Sequence, residues 1–188
     1  MSECIGMTRD RATIELRLEK IADLFDPFDP FPMPSRDLSK SAEDFIVGWA
    51  REMPEALALS LIVHVPEAEA RGPQAPALAD AIARHFNYRA ERVRGDLHEL
   101  IRIGRVSLMI GLGVLGLGVL GGRLVSSALG EGPTARFFSE GLIILGWVAN
   151  WRPIEIFLYD WWPLVRRRRL FERLAAAPVR VLGYSQSS

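Results

Sequence analysis

The sequence predicts a small α/β domain, a βαβ unit with a candidate C-terminal strand, joined by one long helix to a two-helix transmembrane hairpin. Three observations predict it. Residues 13–18 and 56–65 read as strands on either side of an amphipathic helix. Residues 106–122 hold seventeen positions without a charge between Arg105 and Arg123, and a second apolar segment covers residues 137–151. Charge divides along the same line: residues 1–83 carry 8 Lys+Arg against 15 Asp+Glu, and the remainder carries 15 against 8. The basic half is thus the apolar half, which assigns the positive charge to anionic lipid headgroups and topology rather than to nucleic acid.

Residues 1–11 have no hydrophobic period and read as a flexible tail. They also lack the apolar core of a signal peptide, so the residues before the hairpin are expected in the cytoplasm. In residues 13–18, Ile14, Leu16 and Leu18 alternate with Glu15 and Arg17, the pattern of a half-buried strand. Four prolines between Pro27 and Pro34 exclude helix and central strand. The tandem Asp-Pro-Phe at 26–28 and 29–31 resembles short motifs that bind clathrin-adaptor appendage domains. Its place between two patterned elements favours an ordered loop packed by Phe28 and Phe31.

Asp37, Ser39 and Ser41 offer caps for a helix over residues 40–53, stopped by Pro54. Phe45, Ile46, Trp49, Ala50 and Met53 form its apolar stripe. In residues 56–65 both alternating sets are largely apolar, so this strand is expected to be covered on both faces. Two parallel strands are marginal alone. The sheet must be completed by residues 179–182 or by another chain, and a homo-oligomer is expected. Residues 67–76 read as a loop, and the α/β domain is expected to span 12–75.

From Pro76, Leu78, Ile82, Phe86, Val93, Leu97 and Ile101 recur at helical spacing. No proline separates this stretch from the apolar segment. One helix is therefore expected from residues 76–105 into a first span over 106–129. A loop at 130–136, a second span at 137–152, an interfacial aromatic segment at 153–163, and a basic helix, short strand and tail at 164–188 complete the plan. The second apolar segment would rise only about 22 Å against a core of about 30 Å, so it must thin the bilayer or continue past Arg152.

Gly104, Gly111 and Gly118 recur at seven, and Gly118 with Gly122 has the small-residue spacing that lets helix backbones approach. The same glycines twice match the dinucleotide-loop pattern, yet neither match follows a strand. Arg123, Arg136 and Glu140 read as an ion-pair clamp at the outer end of the hairpin. Trp147, Trp151, Trp161 and Trp162 suit a headgroup belt, Arg152 and Glu155 a local ion pair, and Arg166, Arg167, Arg168 and Arg169 a lipid-phosphate contact. Pro153 predicts a kink at Arg152. Arginines cluster outside both spans, which places both termini in the cytoplasm.

Residues 151–163, with residues 47–52 and the strand at Ile14, resemble a family of uncharacterised bacterial two-span inner-membrane proteins bearing Trp-x-Pro-x-Glu-Ile-Phe-Leu-Tyr-Asp-Trp-Trp-Pro. The resemblance implies a location in the bacterial inner (plasma) membrane and implies no activity. Of 23 basic residues only Lys20 and Lys40 are lysine, an arginine bias in keeping with a GC-rich bacterial genome. His64, His85 and His98 have no metal-ligand spacing, Cys4 is the single cysteine, and no nucleophile sits in a recognised turn. No catalytic residue, metal or cofactor is expected. The sequence therefore points to a non-enzymatic scaffold or regulatory subunit recruiting an unknown cytoplasmic protein; the alternative is an oligomeric channel or transporter component with the hairpin lining the path.

Overall fold

The computed structural model describes residues 5–8, 11–32, 35–130 and 132–185; Cys4 lies outside them. The chain divides into two compact units, Met1–Arg92 with Arg167–Ser188, and Val93–Arg166.

The first unit is built on a sheet of four strands, β1 (Ile5–Thr8), β2 (Arg11–Arg17), β3 (Ala58–Pro66) and β4 (Val179–Tyr184), in the order β1-β2-β3-β4. β2 and β3 are parallel, joined through helix α1 (Lys40–Glu52), and β4 lies parallel on the other side of β3. The βαβ unit and the C-terminal strand are thus both present. β1 runs antiparallel to β2, so residues 5–8 are a strand where a flexible tail was expected. Four residues are too few for a period to be legible in sequence.

One face of the sheet is the core. Ala12, Ile14 and Leu16 of β2 and Leu59, Leu61, Val63 and Val65 of β3 are buried on it. Ile46, Val47 and Ala50 of α1 are buried too, as are Leu78, Ile82 and Phe86 of helix α3 (Ala75–Leu129) and Phe171 and Leu174 of helix α6 (Trp161–Ala175). Phe86 and Phe171 stack with ring centroids 6.2 Å apart. Ser39 caps α1 by accepting the Ala42 N–H at 3.3 Å. Arg173 of α6 donates to the carbonyls of Pro54 and Leu57 at 3.0 and 2.8 Å, fixing the turn into β3.

Two expectations are corrected here. The other face of β3, with Ser60, Ile62 and His64, is only half-buried, so among the described residues the strand is fully covered on one side and not on both. Residues 67–70 form a short helix, α2 (Glu67–Ala70), rather than a loop. The proline loop differs as well. Asp26 and Asp29 accept the N–H of Phe28 and Phe31 at 2.9 and 3.0 Å, two successive Asx turns. They hold Phe28 92% and Phe31 63% exposed, so the aromatics do not pack the loop.

α3 is a single helix of 55 residues, about 80 Å long. Gly130 ends it with φ +74°, the left-handed conformation that glycine tolerates at a helix terminus. Pro133 opens α4 (Pro133–Ala149). The chain then continues as α5 (Trp151–Glu155), one π turn (Ile156–Asp160) and α6, so the second helix does continue past Arg152. Arg152, where a kink was expected, is itself helical, and the helix is interrupted two residues earlier, at Asn150, with φ −90° and ψ −3°. Pro153 has no N–H for the Ala149 carbonyl, and the helix gives way within the turn that would have made that bond.

Phe86→Ala is expected to cost the first unit about 3–5 kcal/mol, because a fully buried aromatic leaves a cavity. Phe28→Ala should stay within about 0.5 kcal/mol. Chemical denaturation of the full chain distinguishes the two.

Candidate functional site

The second unit is a glycine-faced helix pair. A Cβ at Gly104 would lie 2.9 Å from Ile156 Cγ2, one at Gly111 2.6 Å from Asn150 Oδ1, one at Gly118 2.6 Å from the Leu142 carbonyl oxygen, and one at Gly122 3.2 Å from Ser139 Oγ. All four predicted glycines therefore face the returning helix. The contact is reciprocal, since a Cβ at Gly146 would meet the Leu115 Cα at 2.8 Å. From Gly104 to Gly122 the partner recedes from Ile156 to Ser139 in step, so the antiparallel register holds past Asn150.

Asn150 was not singled out from sequence. It is one of the few buried polar residues, and its Nδ2 donates to the Gly111 carbonyl at 3.0 Å and to the Gly146 carbonyl at 2.8 Å. Its side chain thus bridges the helices at the point where its own helix is interrupted. A lone amide in an apolar run, one helical turn after Gly146, was the available signal. Its partner on α3 was not legible.

The charged residues are distributed differently from the expectation. Arg136 pairs with Glu140 one turn away at 3.6 Å, both well exposed. Arg123 does not pair with Glu140 among the described residues, so the three-residue clamp is corrected to a local pair on α4. Arg152 pairs with Glu155 at 2.9 Å as expected, and its Nη1 also reaches Asp160 at 3.2 Å across the π turn. Trp147, Trp151, Trp161 and Trp162 are all exposed, and Trp161 Nε1 donates to the Phe157 carbonyl at 2.8 Å. Arg166, Arg167 and Arg169 are exposed. Arg168 lies 3.1 Å from Glu172, and Arg167 stacks over Phe171 at 5.5 Å.

The first unit holds a second cluster that sequence did not reveal. His85 is buried; its Nδ1 accepts the Leu38 N–H at 3.4 Å and lies 3.2 Å from Asp37 Oδ1, while Nε2 is 3.5 Å from Glu43 Oε2. Arg89 holds Glu43 at 2.7 Å. Beside it lies an open cleft of about 330 Å³, lined by Phe31, Arg36, Asp37, Arg84, His85 and Tyr88 among others. Its polar groups are engaged in the fold: Arg84 donates to Ser35, Arg36 to the Asp26 carbonyl, and Asp29 accepts the Asp37 and Phe31 N–H groups. Among the described residues no group of three His, Cys, Asp or Glu side chains is placed to hold a metal.

No family model, curated protein or solved structure matches this chain. What the helix pair can do follows from its own surfaces. Both helices are long and apolar enough to cross a membrane.

Two outcomes follow. With Cys4→Ser, cysteines at Gly122 and Ser139 should form an intramolecular disulfide, and Gly118→Leu should abolish it by forcing the backbones apart; reducing and non-reducing gels read the result. In the cleft, the Asp37 N–H, then the Phe31 N–H, hold the Asp29 carboxyl below the ordinary carboxylate range. The stabilisation is therefore present above the unfolded carboxylate value and lost as pH falls through the lower native one. The amide resonances of Phe31 and Asp37 should shift together below about pH 4, and in Asp29→Asn that titration should vanish.

Proposed function

We propose that this chain is a non-enzymatic integral membrane protein: the helix pair is a transmembrane hairpin with both termini cytoplasmic, and the first unit is a small cytoplasmic domain that recruits or organises a protein partner. The observation that carries this reading is the asymmetry of the hairpin. Its inward face is closed by glycine against backbone, while Met109, Leu117, Leu124, Phe137, Ile144 and Val148 stand exposed on the outside. In the most apolar 18-residue windows of the two helices only 17% and 22% is buried, where the core helix of a soluble protein would be mostly covered. Lipid is the solvent that such a surface fits.

The charges support the same placement. The contact of Gly104 with Ile156 sets Arg105 level with Glu155, so the uncharged stretch 106–122 runs beside residues 139–154. Arg152 is the cation within that second stretch, and Glu155 and Asp160 offset it near the inner boundary. The exposed tryptophans suit the headgroup layer, and the exposed arginines at 166, 167 and 169 suit anionic lipid phosphates on the cytoplasmic side of a bacterial inner membrane. For recruitment, the support is the pair of Asx turns that present Phe28 and Phe31 to solvent. An exposed aromatic on a preorganised turn costs little entropy to dock. The alternative, an oligomeric channel or transporter component with the hairpin lining the path, draws no comparable support from the largely apolar outer surface of the pair.

In cells, the protein should remain in the membrane fraction after alkaline carbonate. A cysteine at Thr134 should react with an impermeant maleimide from outside, and Cys4 should react only after permeabilisation. Release by carbonate would sink the spanning reading; labelling of Cys4 in intact cells would reverse the topology.

A further inference from the structure

Among the described residues, one face of the sheet of the first unit has no helix over it. β3 is flanked by parallel neighbours on both sides, and parallel ladders are ordinarily covered on both faces because each strand offers apolar side chains to both. Here every helix residue of the core serves one face. On the other, Thr13 is buried and the Arg17 guanidinium meets the Tyr184 ring at 4.4 Å, but Ile62 is half-buried, Leu182 is 44% exposed, and no described helix lies over them.

The register supplies the identity of the missing layer. Glu15, Ile62 and Arg180 are consecutive partners across β2, β3 and β4, so an apolar residue sits between a carboxylate and a guanidinium on one row. The two charges are two strand spacings apart, about 10 Å, and Arg180 is exposed. Glu15 is bonded to His64 at 3.2 Å on the same face and keeps about a third of its side chain exposed. A twofold axis along the strands through Ile62 exchanges the two sides of this row. It sets Glu15 against the partner's Arg180, Arg180 against the partner's Glu15, and Ile62 against its own mate. A twofold axis across the strands would instead oppose like charges, which is unfavourable. The row is thus self-complementary in one orientation only.

We propose that the helix-free face of the β2-β3-β4 sheet is a homodimer interface, in which two copies pack sheet against sheet about a twofold axis at Ile62, with two symmetry-related Glu15 to Arg180 ion pairs at its sides. Aligned sheets pack about 10 Å apart, a gap that one Ile pair fills and that extended Glu and Arg side chains bridge. Placement of the helix pair in a membrane is not needed for this interface, so the two readings fail separately.

The test uses the full chain in mild detergent. Native mass spectrometry should give a dimer, and in a Cys4→Ser background Ile62→Cys should be joined to its mate by a short bifunctional thiol reagent. Glu15→Arg and Arg180→Glu should each weaken the dimer about tenfold or more, since each makes like charges face one another twice. The double variant Glu15→Arg with Arg180→Glu should restore it, and neither change touches the buried core. A monomeric wild type, an Ile62→Cys that is not joined, or a double variant no tighter than the singles would each overturn the proposal. If residues at the chain termini cover the face instead, Ile62→Cys will also resist a monofunctional thiol reagent, which counts against it equally.

Discussion

The hairpin depends on backbone meeting backbone. At Gly118 there is room for a hydrogen and for nothing larger, because a Cβ would stand 2.6 Å from the Leu142 carbonyl oxygen. One heptad along at Gly111 a Cβ would meet the Asn150 amide and the Ala149 carbonyl, at Gly146 it would meet Leu115, and at Gly104 the close neighbours are the side chains of Ile156 and Phe157. Close approach of this kind has a cost for composition. An inner face rich in glycine has room for few large side chains, Leu115, Leu142 and Ile156 among them, so many of the large apolar residues of both helices are turned outward. Their exposure is the complement of the glycine contact.

That contact also disciplines the return path. Pro153 removes a hydrogen bond from the Ala149 carbonyl, and the π turn of residues 156–160 disturbs the ladder again a few residues later. Each disturbance is met locally. The Asn150 N–H turns to Trp147 in a tighter bond at 3.0 Å, its side chain reaches across to Gly111, and Trp161 takes the Phe157 carbonyl. Arg152 is held by carboxylates on both sides of the π turn. The helix is therefore irregular in hydrogen bonding while the register against α3 is kept.

In the first unit the governing constraint is closure of a two-layer α/β structure by a strand from the far end of the chain. Val179 and Val181 pair with Leu61 and Val63, and α6 brings Phe171 onto Phe86 and Arg173 onto the turn before β3. The buried His85, Glu43 and Arg89 join α1 to α3, and the adjoining cleft uses its polar groups to hold the proline loop. That loop in turn carries the two exposed phenylalanines. Order and exposure are compatible there because the hydrogen bonds are backbone to aspartate and need no buried aromatic.

By itself the sequence determined what periodicity and local chemistry can encode. The alternation of Ile14 and Leu16, the stripe of α1 with its Ser39 cap, the unbroken helix through Gly104, the strand after Pro178 and the glycine face all rest on patterns within one segment, and a segment's pattern survives folding. The Arg152 to Glu155 pair was legible for the same reason, being one turn of one helix. What needed tertiary structure was every choice of partner over a distance. Asn150 finding Gly111, Arg123 not finding Glu140, His85 meeting Glu43, and one face of β3 left open while its neighbours pair are decided by which surfaces meet. Side-chain chemistry limits those choices, but only the folded register makes them, because a shift of one residue in a strand, or of a hundred degrees around a helix, gives each group a different neighbour.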